Sequence, residues 1–153
     1  MSEENQSQET DASVDDQVIE EEELIEKGFW ESLLCDIEWS GGPVDIGDDK
    51  DPDGWRSKGF EPGRLVNCLQ LLGFYSTVMY RVSRWAYKKN MKFLAAPIQL
   101  INHSVTGAEI SHKAVIGPGL RIGHPHGLFI GPDCKVGFRS TFNQGTCLSS
   151  NME

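Results

Sequence analysis

The chain has 153 residues, a length that suits one domain, and a formal net charge of −9. Residues 1–27 hold eleven Asp/Glu against one Lys, so this segment carries −10 and the remaining body +1. The acidic balance thus describes the tail; no basic stripe points to nucleic acid, and no signal peptide or apolar run near membrane-helix length is present, so a reducing cytoplasm is the expected compartment.

The segment 1–27 has no aromatic residue and only scattered aliphatics. Such a composition buries too little apolar surface to offset the entropy of ordering, and a disordered acidic tail is expected. Residues 28–106 read as a helical N-terminal region. Its first apolar stretch, 29–37, predicts two helical turns. The stretch 40–63 is dense in Gly, Pro and Asp, with turns at Gly41-Gly42-Pro43 and Asp51-Pro52-Asp53-Gly54, and predicts a long ordered loop. That length exceeds ordinary connections and suggests a functional loop or a surface wrap.

From Arg64 the period changes. Leu65, Leu69, Leu72, Met79, Val82 and Ala86 step by three, four or seven, which predicts one helix with these residues along one face. Gly73 either weakens that helix or marks close packing. Arg81, Arg84, Lys88 and Lys89 crowd its C-terminal end, where positive charge suits the helix dipole. A second helix is expected over 91–102, with Pro97 kinking it or restarting it. Cys35, Cys68, Cys134 and Cys147 form no CxxC pair and lack His partners at zinc spacing. They read as small apolar residues or surface thiols.

After Gly107 a six-residue rhythm replaces the helical one. Ile110, Ile116 and Ile122, then Ile130, Val136, Phe142 and Leu148, fall six apart, except for one step of eight between 122 and 130. Gly117, Gly123, Gly131 and Gly137 each follow one of them. A short repeat with one apolar position predicts a parallel β-helix over 107–153, its apolar side chains stacked inward. Three hexapeptides make one coil, so the repeats supply little more than two. A solenoid usually needs at least about three repeating units, and the β-helix is expected to be incomplete at its C-terminal side, with an open edge. The class is α+β. Both extra residues fall in one turn, within Gly123-His124-Pro125-His126-Gly127, and such an interruption pushes side chains out of the coil.

The stretch from about Cys68 onward resembles the serine O-acetyltransferase family of hexapeptide-repeat acyltransferases. The resemblance rests on Tyr80-Arg81-Val82-Ser83-Arg84-Trp85, on Gly107-Ala108-Glu109-Ile110, on Ile116-Gly117-Pro118-Gly119-Leu120, on His124 with Gly127-Leu128-Phe129-Ile130-Gly131, and on Asn143-Gln144-Gly145-Thr146. Asp51-Pro52 is similar to the Asp-Pro of the family's acceptor loop. The resemblance implies a left-handed β-helix, homotrimers or larger assemblies, and acetyl transfer from acetyl-CoA to L-serine in cysteine synthesis, with no metal.

Transfer from a thioester to a hydroxyl needs a base for the hydroxyl proton, donors for the oxyanion, and reactants held in contact. His124 is the candidate base, by its place in the interrupted turn and by the resemblance. Glu109 takes the place of the family's acidic partner, fifteen residues earlier and thus close to one coil away. Asp51 and His126 are the candidate substrate-binding residues. His126 shapes the pocket or contacts an acceptor, whereas His103 and His112 read as surface or linker residues. Two departures stand out. Gly123 occupies the place of an Asp that serine-specific members carry, and the Gly-His-Pro-His-Gly version is more similar to saccharide or capsular-polysaccharide acetyltransferases. The resemblance also implies later coils bearing a second His, an adjacent Arg and most of the acetyl-CoA groove, which this sequence lacks. A saccharide O-acetyltransferase and a truncated, non-catalytic piece acting only in assembly are the alternative readings.

Overall fold

A computed structural model describes residues 27–41 and 62–149. The expected tail and most of the expected loop, Asp51 included, lie outside the described residues. Among the described residues, four helices precede seven two-residue strands: α1 (Phe29–Gly41), α2 (Pro62–Cys68), α3 (Leu72–Lys88), α4 (Lys92–Thr106), then β1 (Glu109–Ile110), β2 (Val115–Ile116), β3 (Arg121–Ile122), β4 (Phe129–Ile130), β5 (Lys135–Val136), β6 (Thr141–Phe142) and β7 (Cys147–Leu148). The architecture is the expected one, helices followed by a short left-handed parallel β-helix.

The strands form three parallel faces, β1-β4-β7, β2-β5 and β3-β6. Glu109 pairs with Phe129, twenty residues on, and Phe129 with Cys147, eighteen on. The first coil is therefore two residues longer than the second, as the eight-residue step predicts. The repeated apolar residues point inward and stack, one ladder per face, around a single core. Ile110, Ile116, Ile122 and Ile130 are at most 1 % exposed, Val136 is buried, and Phe142 and Leu148 pack against them half-buried. Leu120, Leu128, Ala108 and Ala114 fill the corners.

The helices differ from their sequence reading in three ways. First, α1 runs to Gly41 and α2 opens at Pro62, so the loop expected over 40–63 is helical at both ends. Second, the single helix expected from Arg64 is two, separated by a turn at Leu69 and Gln70, and the helix expected over 91–102 extends to Thr106 with Pro97 inside it. Third, the inward face of α3 is not the aliphatic one. Of the expected residues Ala86 is buried, whereas Leu72 and, in the preceding turn, Leu69 are exposed; most of the buried face is Gly73, Phe74, Thr77, Tyr80, Arg81 and Arg84.

That face is polar because it docks on backbone. Arg81 is 4 % exposed and forks onto Asp36 of α1, which is 0 % exposed, at 2.8 and 3.0 Å. Arg81 also donates to the carbonyls of Ile116 (2.6 Å) and Gly117 (2.7 Å), and Asp36 accepts from the amides of Gly119 (2.9 Å) and Leu120 (2.7 Å). One ion pair thus ties two helices to a corner of the first coil. Arg84 donates to the carbonyls of His112 and Lys113. Neither guanidinium serves the helix dipole, as their position had suggested. Tyr80 enters the coil's core and its hydroxyl donates to Ala114 O (2.8 Å). Gly73 marks close packing: a Cβ there would stand 1.9 Å from Ile122 O. Gly107 ends α4 in the left-handed region (φ 74°), where the helical pattern was expected to stop.

None of the four cysteines is in a disulfide; Cys35 and Cys68 are buried, Cys134 is half-buried and Cys147 exposed. Burial, reinforced by Asp36 and Glu38, pushes the Cys35 thiol up to about 11, and burial also raises Cys68. At pH 8, iodoacetamide should therefore label Cys147 first and leave Cys35 and Cys68 unmodified until urea unfolds the chain. Counting labels per chain by mass spectrometry checks this, and rapid native labelling of Cys35 would contradict it. Among the described residues, no helix is long and apolar enough to cross a membrane.

Candidate active site

The longer first coil places its extra residues in the turn between β3 and β4. Hydrogen bonds to both neighbouring levels hold this turn. Gly123 N–H donates to Phe142 O (2.9 Å), Gly127 N–H to Gly107 O (2.9 Å), Leu128 N–H to Pro125 O (3.1 Å), and Gly145 N–H to His126 O (3.1 Å). Gly127 adopts φ 70°, a conformation that a side chain would strain. Pro125 is buried, while His124 and His126 on either side of it are exposed. A rigid backbone therefore holds out two imidazoles, and only one of the three residues is used for packing.

Glu109 is exposed on β1, and its amide donates to Leu128 O (2.8 Å), the end of the same turn. Its strand is thus fastened to the His124 turn. Among the described residues, no hydrogen bond joins the Glu109 carboxylate to His124. The Glu109 side chain lines a cavity of about 360 Å³ with Gln99, His103 and His112. His126 lies against Gly107, the first residue beyond α4: a Cβ on Gly107 would be 3.4 Å from His126 Cδ2. The four residues expected at the site are therefore placed as follows: His124 and His126 share one turn, Glu109 sits at its base, and Asp51 is outside the described residues.

Two features escaped the sequence. Asn143, in the turn directly above, leans over Gly123, so that a Cβ on Gly123 would stand 2.5 Å from Asn143 Oδ1. A neutral amide thus occupies space that a side chain at position 123, next to His124 in the chain, would claim. The only signal for this was register, because β3 pairs with β6 and stacks the two turns. The second feature is His112, which is not a free surface residue. Its Nδ1 is 2.7 Å from Gln99 Oε1, which can only accept, so Nδ1 carries a proton. Its ring also packs on Tyr87 at 5.1 Å.

Burial lowers the His112 pKa, and the neighbouring Lys113 and Arg84 lower it further. Below the ordinary histidine value of about 6.5, the unfolded chain takes up a proton that the folded chain resists. The stability that His112 contributes is thus present above that value and lost as pH falls through the lower folded value. Urea unfolding at pH 7 and pH 5 should show a larger loss for the wild type than for His112→Gln. Equal losses would contradict this origin. Among the described residues, no three His, Cys, Asp or Glu side chains come together as a metal site.

No protein-family model matches the chain. The serine acetyltransferase of Bacillus pumilus is 34% identical over 76 residues, which cover 50% of this chain and 35% of that protein. The crystal structure of serine acetyltransferase from Brucella abortus matches with a TM-score of 0.59 at 26% identity, over 78% of this chain and 44% of that one. A serine acetyltransferase in complex with CoA matches with a TM-score of 0.61 at 22% identity, over 86% and 50%. The alignment spans about a third of the length of the first curated relative. Sequence and fold together relate this chain to the serine acetyltransferases of the hexapeptide-repeat class.

Proposed function

We propose that the chain carries the base side of a serine O-acetyltransferase site, moving acetyl from acetyl-CoA to the hydroxyl of L-serine. The observation that carries this reading is the two-residue insertion, which exposes His124 on a hydrogen-bonded turn with Pro125 buried beneath it. A regular coil has no use for that turn. In the proposed reaction neutral His124 takes the serine hydroxyl proton while the oxygen attacks the thioester carbonyl. The tetrahedral intermediate then expels the CoA thiolate, which takes the proton back from the imidazolium. Products are O-acetylserine and CoA thiol, and no acyl-enzyme forms.

Glu109 is proposed to steady the imidazolium, since its strand is fastened to the end of the turn. Catalytic hydrogen bonds are often long before substrates bind, so the lack of a direct bond does not oppose the role. His126 and Asp51 are proposed to contact the acceptor. CoA as partner is supported by the relative that binds it, and serine by the relatives' names. A homotrimer is the proposed assembly, and the exposed Phe93, Leu100 and Val105 on α4 support an apolar subunit contact. A cytoplasmic location is proposed, since four thiols outside disulfides suit a reducing compartment.

The test is an acceptor panel. Purified chain with acetyl-CoA should release free CoA thiol with L-serine and not with a hexose or with buffer alone. Release with the sugar alone would replace serine by a saccharide, and no release with either would overturn the enzyme reading for this chain.

A further inference from the structure

A second concave site lies at a different corner of the coil from the His124 turn. The C-terminal end of α3 and the β1–β2 and β4–β5 corners enclose a cleft of about 530 Å³. Arg84, Lys88, Lys113 and Lys135 line it, with Asp133 the one carboxylate, so its lining carries a net charge of +3. The cleft has a fixed wall: Arg84 is 6 % exposed, donates to the Lys113 carbonyl at 3.1 Å, and lies over Tyr87 at 5.8 Å. In a body whose charge is only +1, this concentration is local.

Chain connectivity identifies what is nearest to it. Lys27 and Gly28, where the described chain begins, line an adjoining cavity with Phe29, Arg84, Lys88 and Lys89. Arg84 and Lys88 are common to both cavities. The seven residues just before Lys27 include Glu20, Glu21, Glu22, Glu23 and Glu26, five carboxylates. Seven residues reach at most about 25 Å, far enough to cross the shared wall. A tether this short gives an effective concentration on the order of millimolar, so weak, screened ion pairs suffice.

We propose that the Arg84–Lys88–Lys113–Lys135 cleft is the docking groove for residues 20–26 of the same chain. The acidic run is then a built-in polyanion that neutralises this corner and that free anions must displace. This inference does not depend on the acetyl-transfer reading.

Carbodiimide crosslinking of the full chain, mapped by mass spectrometry, tests it. Expected are crosslinks from Lys113 and Lys135 to glutamates 20–26, within single chains when light and heavy isotopic protein are mixed. Raising NaCl to 1 M shortens the screening length to about 3 Å and should lower their yield about tenfold. In Lys113→Glu/Lys135→Glu, with unchanged circular dichroism, a Glu-specific protease should cut within 20–26 about tenfold faster, because cleavage follows the undocked population. Crosslinks confined to Lys27, Lys88 and Lys89, the lysines that any undocked run would reach, would overturn the proposal. So would crosslinks only between light and heavy chains, or unchanged cleavage in the variant. Inorganic tripolyphosphate supplies a third readout: it should bind more tightly when Glu20, Glu21, Glu22 and Glu23 are changed to Gln. Equal binding would show a cleft for free anions and no internal occupant.

Discussion

Replacing Asp36 by Ala is expected to destabilise the fold by about 3–5 kcal/mol, the range for removing one partner of a buried ion pair. The carboxylate accepts from Nε and Nη2 of Arg81 and from the amides of Gly119 and Leu120, and it is fully buried. Its loss takes away the counter-charge of Arg81 and the acceptor of two amides, and all three of those residues are buried. A chain of this size is stable by about 5–15 kcal/mol in all, so the change is a large share. The corner at Gly117–Leu120 should loosen first, and α1 should separate from α3. Urea titration followed by tryptophan fluorescence measures the loss. A change under 1 kcal/mol would mean that water replaces the carboxylate and that the pair is not what joins helices to coil. The double variant Asp36→Leu/Arg81→Met removes both charges and should lose less than the two single changes added together.

His124→Ala should lower serine-dependent CoA release by about 10²–10⁴-fold, the usual contribution of a positioned general base. The side chain is exposed and its ring holds no packing position, whereas buried Pro125 and the turn's backbone bonds remain. Circular dichroism and melting should therefore stay near wild type. Glu109→Gln should reduce turnover less, because it removes an orienting charge and leaves the base in place. A rate for His124→Ala within about threefold of wild type would exclude it as the base, whatever the relatives do.

The fold was legible wherever one side chain per repeat decides the outcome. Ile110, Ile116, Ile122 and Ile130 could be placed in the core from spacing alone, since a strand of two residues sends one inward and the other outward. The eight-residue step likewise located the longer coil. The helices were less legible because their buried face is satisfied by hydrogen bonds. Periodicity of apolar residues finds Leu69 and Leu72, which are exposed, and passes over Arg81 and Arg84, which are buried because Asp36 and backbone carbonyls receive them. Partners 45 residues apart, as Asp36 and Arg81 are, leave no local pattern.

The candidate site was half legible for a similar reason. The turn could be read from its interruption. The relation of Glu109 to His124 could not, because their fifteen-residue spacing is not one coil: with a twenty-residue coil, the residue above Glu109 is Phe129. Glu109 occupies a strand and His124 a turn, joined through Leu128 O. Asn143 over Gly123 required the register of the two coils, which no motif states.

The most direct test of the His124 turn is to identify the product. Purified chain would be incubated with acetyl-CoA carrying a ¹³C-labelled acetyl group and with L-serine, beside His124→Ala, and the label followed by NMR. Transfer of the label to the serine oxygen is expected with the wild type and almost none with the variant. Equal labelling by both, or loss of acetyl-CoA to free acetate at the same rate with and without serine, would contradict it.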